Sequence, residues 1–496
     1  MSVAPNIKRL VDLVDRGPED DIFYPSASNV TVFTRDFKPY HNVVPDITEI
    51  GYKGDASWGH RITIQLNHKE TGDLIQWVCV RIRPASWLGV EIESKLRGGW
   101  DYADPTSGSI WTWAASLGTI AISKVDFEIG DAVVESWTGE WMDIWSRLWL
   151  DSGRSGTWDA DIFGQRPFTQ IRNNINPVST FQATEDGYVY CWIPLAFFKR
   201  PQLAFPMAAI GTTLGQDQVR IHITFRPFAD VIRRKSVPRT NPCEVPMGSK
   251  IILVDKTGIT PIPWEYTLPK TVPGFDDVTV LVGVVHTEEP LRSSFTKLPM
   301  ELLYEPVKYM KFTLPNAIVQ ASATPITVNF PLTDFNGPIR EICFFIRRTG
   351  VWQFNEWTNY GSLLENDFFP TFNTVLGIIQ KQQPVLVSAR LKVGNATWRD
   401  EAEQWWRSDY ASEHRGGVRM YKGMVYGFDF GWDTEELQPS GTVNASRAPL
   451  RLDLTMLSPL PVVNTTYIPG WDVHVFGISY NWMRFVNGMA GPLFKD

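Results

Sequence analysis

The sequence predicts an all-β chain that uses one sandwich-like design twice. Three observations carry this. Helical periodicity is scarce. Short runs rich in Val, Ile, Thr, Phe and Trp alternate with Gly, Pro, Asn and Asp clusters along most of the chain. Three segments of the first half also recur, in the same order, in the second. The 496 residues are enough for roughly two to four ordinary domains. A composition of 43% hydrophobic and 20% charged residues is that of a globular chain.

The chain opens on its clearest helical stripe. Ile7, Leu10, Val11, Leu13 and Val14 share one face of a short helix, which Gly17-Pro18 stops. This marks an N-terminal arm over residues 1–24. Strands are then predicted at Asn29–Phe33, Arg61–Leu66, Ile75–Arg81, Val125–Ile129, Val189–Ile193 and Val219–Phe225. Further on they are predicted at Val278–Val285, Glu341–Arg347, Met424–Phe430 and Leu450–Leu454. The 37 Gly and 35 Pro supply the turns, so sandwiches or barrels fit and βαβ units do not.

The repeat aligns Val189–Trp192 and Val219–Thr224 with Val425–Phe428 and Leu450–Thr455. Upstream, Ser123–Ala132 leads to Glu140, Trp141 and Trp145, as Ser388–Ala396 leads to Glu403, Trp405 and Trp406. Between the copies, Arg226–Lys250 is Pro-rich, carries the cluster Arg233-Arg234-Lys235 and lacks alternation, which reads as a linker with a solvated basic face. The expected division is a first lobe at 25–228, a linker at 229–249 and a second lobe at 250–496.

Catalytic patterns are sparse. There is no phosphate-binding glycine loop, nucleophile elbow or His-Glu-x-x-His, and the seven His are dispersed, so neither an enzyme, a cofactor nor a metal is expected. Asp151–Asp161 only partly matches a calcium loop, with Ile162 where the bidentate acid belongs. Glu135, Glu140 and Asp143 beside Trp137 and Trp141 are compatible with a glycosidase carboxylate pair, or with acids facing solvent on a short helix. The surplus of 21 Trp suits either glycan platforms or packing between lobes and chains. A balance of 47 basic to 54 acidic residues argues against coating nucleic acid. No signal peptide or apolar run of membrane-spanning length is read, so Cys79, Cys191, Cys243 and Cys343 are expected as reduced thiols. Sequons stand at Asn29, Asn395, Asn444 and Asn464; without a secretory signal they are weak modification candidates.

Five segments, in order, resemble one family. Lys124–Leu148 (KVDFEIGDAVVESWTGEWMDIWSRL) looks like the strand, hairpin and GEWxxxW helix of major capsid proteins from large eukaryotic double-stranded DNA viruses. Ile193–Ala209 (IPLAFFKRPQLAFPMAA) and Thr333–Arg347 (TDFNGPIREICFFIR) are similar to two further segments of that family, with Gln202 and Gly337 as departures. Gln438, Pro439, Ser440, Gly441, Asn444, Ser446 and Arg447 match its QPSGxxNxSR stretch, and Ile478–Phe494 resembles its closing segment. The resemblance implies a double jelly roll, two consecutive eight-stranded β-sandwiches, with short helices in loops and at the N-terminus.

It further implies a structural protein of the outer virion shell, assembled in the host cytoplasm as pseudo-hexagonal homotrimeric capsomers of an icosahedral capsid. The implied partners are neighbouring capsomers and, through the N-terminal arm, minor capsid proteins and the inner viral membrane, with no sequence-specific nucleic-acid binding. Glu140, Trp141 and Trp145 take architectural roles in this picture. So does the Gln438–Arg447 loop: Pro439 and Gly441 turn the chain, while Ser440, Asn444 and Ser446 bond nearby backbone. Asn444 is expected partly buried, and Arg447 is expected to reach a carboxylate or carbonyl. Asp151–Asn176, Gln353–Phe372 and Trp398–Gly417 are the expected outer loops. The rival readings are a glycan-binding or glycan-hydrolysing β-sandwich protein, and a minor capsid or spike protein of the same fold.

Overall fold

The structure is a computed structural model that describes residues 41–494, apart from 86–108, 115, 150–187, 199–202, 211–217, 237–242, 246–252, 255–260, 263–273, 315–323, 350, 363–383, 414–423, 433–437 and 459–469. The N-terminal helix, the Asn29–Phe33 strand, the Asp151–Asn176 loop with its partial calcium motif, and the sequons at Asn29 and Asn464 lie outside these residues.

The first lobe is built from β1 (Val43–Ile50), β2 (Arg61–Leu66), β3 (Leu74–Pro84), β4 (Ile122–Ile129), β5 (Ala132–Thr138), β6 (Val189–Trp192), β7 (Val219–Phe225) and β8 (Phe275–Thr287). These form two antiparallel sheets in the orders β1-β8-β3-β6 and β2-β7-β4-β5, with Tyr52–Gly54 added outside β2. A connecting strand, β9 (Met300–Tyr304), leads into the second lobe. That lobe holds β10 (Val307–Leu314), β11 (Ile326–Pro331), β12 (Pro338–Arg348), β13 (Leu386–Val393), β14 (Ala396–Ala402), β15 (Val425–Asp429), β16 (Leu450–Met456) and β17 (Trp471–Ser479). Its sheets run β10-β17-β12-β15 and β11-β16-β13-β14. Strand for strand the two orders coincide, so the lobes share one topology. All three sequence repeats fall on equivalent elements: β6 with β15, β7 with β16, and the β4–β5 hairpin with the β13–β14 hairpin.

Local chemistry explains these elements. β7 (VRIHITF) alternates strictly between buried and half-buried positions, because one face meets the opposing sheet. Each repeated hairpin closes on a two-residue turn, Gly130-Asp131 and Gly394-Asn395, with the glycine at φ 63° and 59°. Only a residue without Cβ takes that conformation cheaply, and such turns match the strand twist. Each hairpin leads directly into a helix, α1 (Gly139–Trp149) in the first lobe and, beyond α2 (Glu289–Lys297), α3 (Glu403–Glu413) in the second.

The structure moves the expected division. β8 lies at 275–287, inside the range assigned to the second lobe, yet it pairs with β1 and β3. Asp73, at the start of β3, also holds its end: Oδ2 accepts from the Thr287 N–H at 2.7 Å and from its hydroxyl at 3.0 Å, while Arg292 of α2 donates to Oδ1 at 2.9 Å. The last strand of the first sandwich therefore follows the linker, a crossover that periodicity does not reveal. The linker is not featureless either, since Ile232–Ser236 pairs with Ser109–Trp113 and Cys243–Val245. Backbone pairing there needs no apolar alternation, which is why the sequence hid it.

Two expected outer loops are also corrected. Trp398–Gly417 is largely β14 and α3; β14 is a sheet edge exposed on both faces, so it shows no alternation. In Gln353–Phe372, the segment Asn355–Tyr360 turns inward, with Asn355, Glu356 and Tyr360 buried.

Candidate functional site: the lobe joint and the signature loop

The joint between the lobes is built around α1. Gly139 starts the helix where a Cβ would strike the Ile122 carbonyl oxygen, so the sharp entry needs glycine. The next two residues face the second lobe. Trp141 is fully buried, its ring centroid 5.2 Å from that of Phe476 on β17. Glu140 sits between Arg226, at 3.3 Å, and Arg347 of β12, at 3.6 Å. Burial alone would raise the Glu140 carboxyl, but the two guanidinium groups outweigh it and hold the group far below the usual carboxylate range.

Around this ion triad the lobes exchange specific contacts. The Tyr360 hydroxyl donates to Asp143 Oδ2 at 2.6 Å, the Trp357 indole donates to the Asp230 carbonyl at 2.8 Å, and Asn355 Nδ2 donates to the Ala229 carbonyl at 2.7 Å. Arg226 stacks over Trp357 at 4.1 Å. His474 is buried beside the triad, bonded through Nδ1 to the Tyr309 hydroxyl at 2.9 Å and stacked on Phe345 at 4.6 Å. Desolvation, reinforced by Arg347, pushes its imidazole well below the ordinary value. A second aromatic seam joins Phe197 to Tyr304, and Phe205 to Phe485 on β18 (Asn481–Val486). The main hydrophobic core accordingly runs from the first sandwich through the joint into Phe345, Val425 and Phe476, and a separate core fills the second sandwich.

These contacts settle the acids left open by the sequence. Glu135, Glu140 and Asp143 do not face solvent: Glu135 Oε2 accepts from the Ala196 N–H at 2.7 Å, and the other two hold the joint. Trp137, Trp141 and Trp145 are buried, as are Trp406 and Trp471, so these rings are packing residues and not sugar platforms. Sequence reasoning missed Arg226, Arg347, His474 and Tyr309. The hint was the pair Arg347-Arg348 directly after the apolar run Ile342–Ile346. Cys79, Cys191 and Cys343 are buried thiols outside any disulfide, and desolvation pushes the Cys191 thiol up to about 12.

The signature loop is a backbone clamp on the second lobe. The Trp432 N–H donates to Ser440 Oγ at 2.9 Å, and the Gly431 N–H donates to Asp429 Oδ1 at 2.6 Å. A Cβ on Gly441 would lie 2.5 Å from the Phe430 carbonyl oxygen, so only glycine lets these two backbones meet. Gly441→Ala should cost about 1–3 kcal/mol through backbone displacement, read as a lowered melting temperature. Farther on, the Gly337 N–H donates to Ser446 Oγ at 2.9 Å, and the Ser446 N–H donates to Asn444 Oδ1 at 3.1 Å. Gln438, Pro439, Asn444 and Arg447 are exposed. For Asn444 this corrects the expected burial: its side chain folds back on the neighbouring backbone and not into the lobe. No side-chain partner for Arg447 is found among the described residues. Asn395 is exposed at the tip of the β13–β14 turn.

Residues 31–255 match the family described as the major capsid protein N-terminus. The major capsid protein of Pyramimonas orientalis virus is 23% identical over 498 residues, covering 98% of this chain and 99% of the relative. That of Phaeocystis pouchetii virus is 22% identical over 556 residues, with the same coverage. Among solved structures, a quasi-atomic PBCV-1 virus capsid matches with a TM-score of 0.63 at 16% identity, over 94% of this chain and 100% of that one. The Faustovirus major capsid protein matches with a TM-score of 0.61 at 11% identity, over 92% and 93%. These relatives are structural proteins, not enzymes. The resemblance read from five sequence segments therefore extends over the whole chain, which is similar in sequence to major capsid proteins of large DNA viruses and has the double jelly-roll fold.

Proposed function

We propose that this chain is a major capsid protein whose work is assembly. The observation that carries the reading is the pair of lobes with one strand order, locked by a buried joint into a unit of fixed geometry. Three such chains around a threefold axis would present six similar lobes, and hence a near-hexagonal outline able to tile an icosahedral shell. A closed threefold ring uses head-to-tail interfaces, each made by two different patches of one chain. The lobes of this unit are taken as 43–287 and 300–494. Residues 1–24 form the arm toward minor capsid proteins and the inner membrane of a virion assembled in the host cytoplasm.

Size-exclusion chromatography with light scattering, followed by negative-stain imaging, tests this. A stable trimer of pseudo-hexagonal outline is expected; a monomer at micromolar concentration contradicts it. Deleting residues 1–16 should leave trimers intact and impair shell formation, and monomers on deletion would contradict the role given to the arm.

A further inference from the structure

Within the chain, the two lobes meet through one particular pair of strands. β5, the last strand of its sheet, packs against β10, the edge strand of the second lobe. Three residues past the end of β5, Trp141 closes the contact on Phe476. By topology the counterpart of β5 in the second lobe is β14, and the counterpart of β10 in the first lobe is β1. Among the described residues the chain does not bring those two together: each ends its own sheet with one edge unpaired there.

Both are unusually bare. On β1, Val43, Val44 and Ile47 are 46%, 56% and 61% exposed. On β14 every residue but Glu401 is exposed, including Trp398 at 51%. Trp405 stands three residues past the end of β14, as Trp141 does past β5, yet it is only half-buried where Trp141 is fully covered. Arg399 lies over its ring at 5.5 Å. Asp400 is already taken by Arg390 at 2.6 Å, which leaves Arg399 to face the exposed Asp46 of a strand like β1. Long edge strands with exposed apolar side chains are normally covered.

We infer that β14 and Trp405 of one copy dock on β1 of the next, repeating between chains the β5–β10 joint made within each chain. The occupant of each bare edge is a second copy of this protein. The two patches are different, lie on different lobes and complement each other, as a head-to-tail ring requires. This inference rests on the capsomer reading and names its contact surface.

The experiment uses full-length protein, with Ile47→Arg on β1, Trp398→Arg on β14 and Met489→Arg as a control at an exposed apolar residue on neither strand. Circular dichroism spectra should match the wild type, because all three side chains are exposed. Light scattering should show trimer for the wild type and Met489→Arg, and loss of trimer for each edge variant. Mixing the two edge variants should restore one sound contact per pair, giving a species of two chains that grows no further. A wild type that is not trimeric overturns both the capsomer reading and this inference. A trimeric wild type whose edge variants remain trimeric overturns the edge assignment alone, as does a mixture that yields no two-chain species.

Discussion

Glu140→Gln should unfold at clearly lower denaturant than the wild type. The substitution keeps the shape of the side chain but removes the only negative member of a triad in which Arg226 and Arg347 are almost wholly buried. Two uncompensated guanidinium charges remain, and breaking a buried pair in this way costs about 3–5 kcal/mol. Urea denaturation monitored by Trp fluorescence checks it; a midpoint unchanged within error would show the triad to be solvated and the joint to be held by its aromatic contacts alone.

The same joint sets a pH dependence. The Glu140 carboxyl is depressed below its ordinary 4.5, so its contribution is present above that pH and is lost as pH falls toward the folded value. The His474 imidazole is depressed below 6.5 and stays neutral in the fold, so the unfolded chain binds a proton that the folded chain does not as pH falls below 6.5. The groups facing it are Tyr309, Phe345, Arg347, Glu140 and Lys311, and the cations among them oppose protonation. Both groups therefore act in the same direction. Stability should fall by up to about 1.4 kcal/mol per pH unit from His474 alone over that window. His474→Phe should flatten the slope between pH 5 and 6.5; an unchanged slope would assign the acid sensitivity to other groups.

Trp141→Ala should be the most damaging truncation in the first lobe. Its indole is fully buried between the lobes, and loss of such a ring costs about 3–5 kcal/mol, the upper part applying where the surroundings cannot collapse into the space. They cannot easily do so here, because Phe476 sits on β17, a strand buried along its whole length. Calorimetry on the isolated chain should show a large fall in melting temperature. Trp405→Ala, at the equivalent place in the second lobe, should cost the isolated chain much less, since that ring is already half in solvent. Equal losses for the two would mean that the lobes do not differ in how their equivalent helices are covered.

The repeat was legible because local rules write it twice. A two-residue turn with a glycine at positive φ, followed by a strand and a helix that opens on Glu and Trp (Glu140-Trp141, Glu403-Gln404-Trp405), leaves a similar trace at 130–141 and 394–405. The alternation of Val219–Phe225 declared its own strand and buried face. The Gln438–Arg447 loop was legible as architecture, since Ser and Asn beside Gly and Pro bond nearby backbone. The reach of Arg447 and the burial of Asn444 were not, because both depend on which surface lies next to the loop.

Composition, alternation and turn chemistry were enough for the all-β class, the duplication and the identity of the elements that correspond. Each is a property of residues within about a dozen positions of one another, where periodicity and turn chemistry act. Long-range pairing alone returns Phe275–Thr287 to the first sandwich, buries Glu135 and Asp143, and brings Arg226, Arg347 and His474 onto the largely buried Glu140. Those facts depend on strand pairing and charge contacts across 86 to more than 330 positions of chain, as the separation of Glu140 from Arg226 and from His474 shows. No local pattern records which distant partner will lie within 4 Å, because burial of a charge is set by what the fold brings over it.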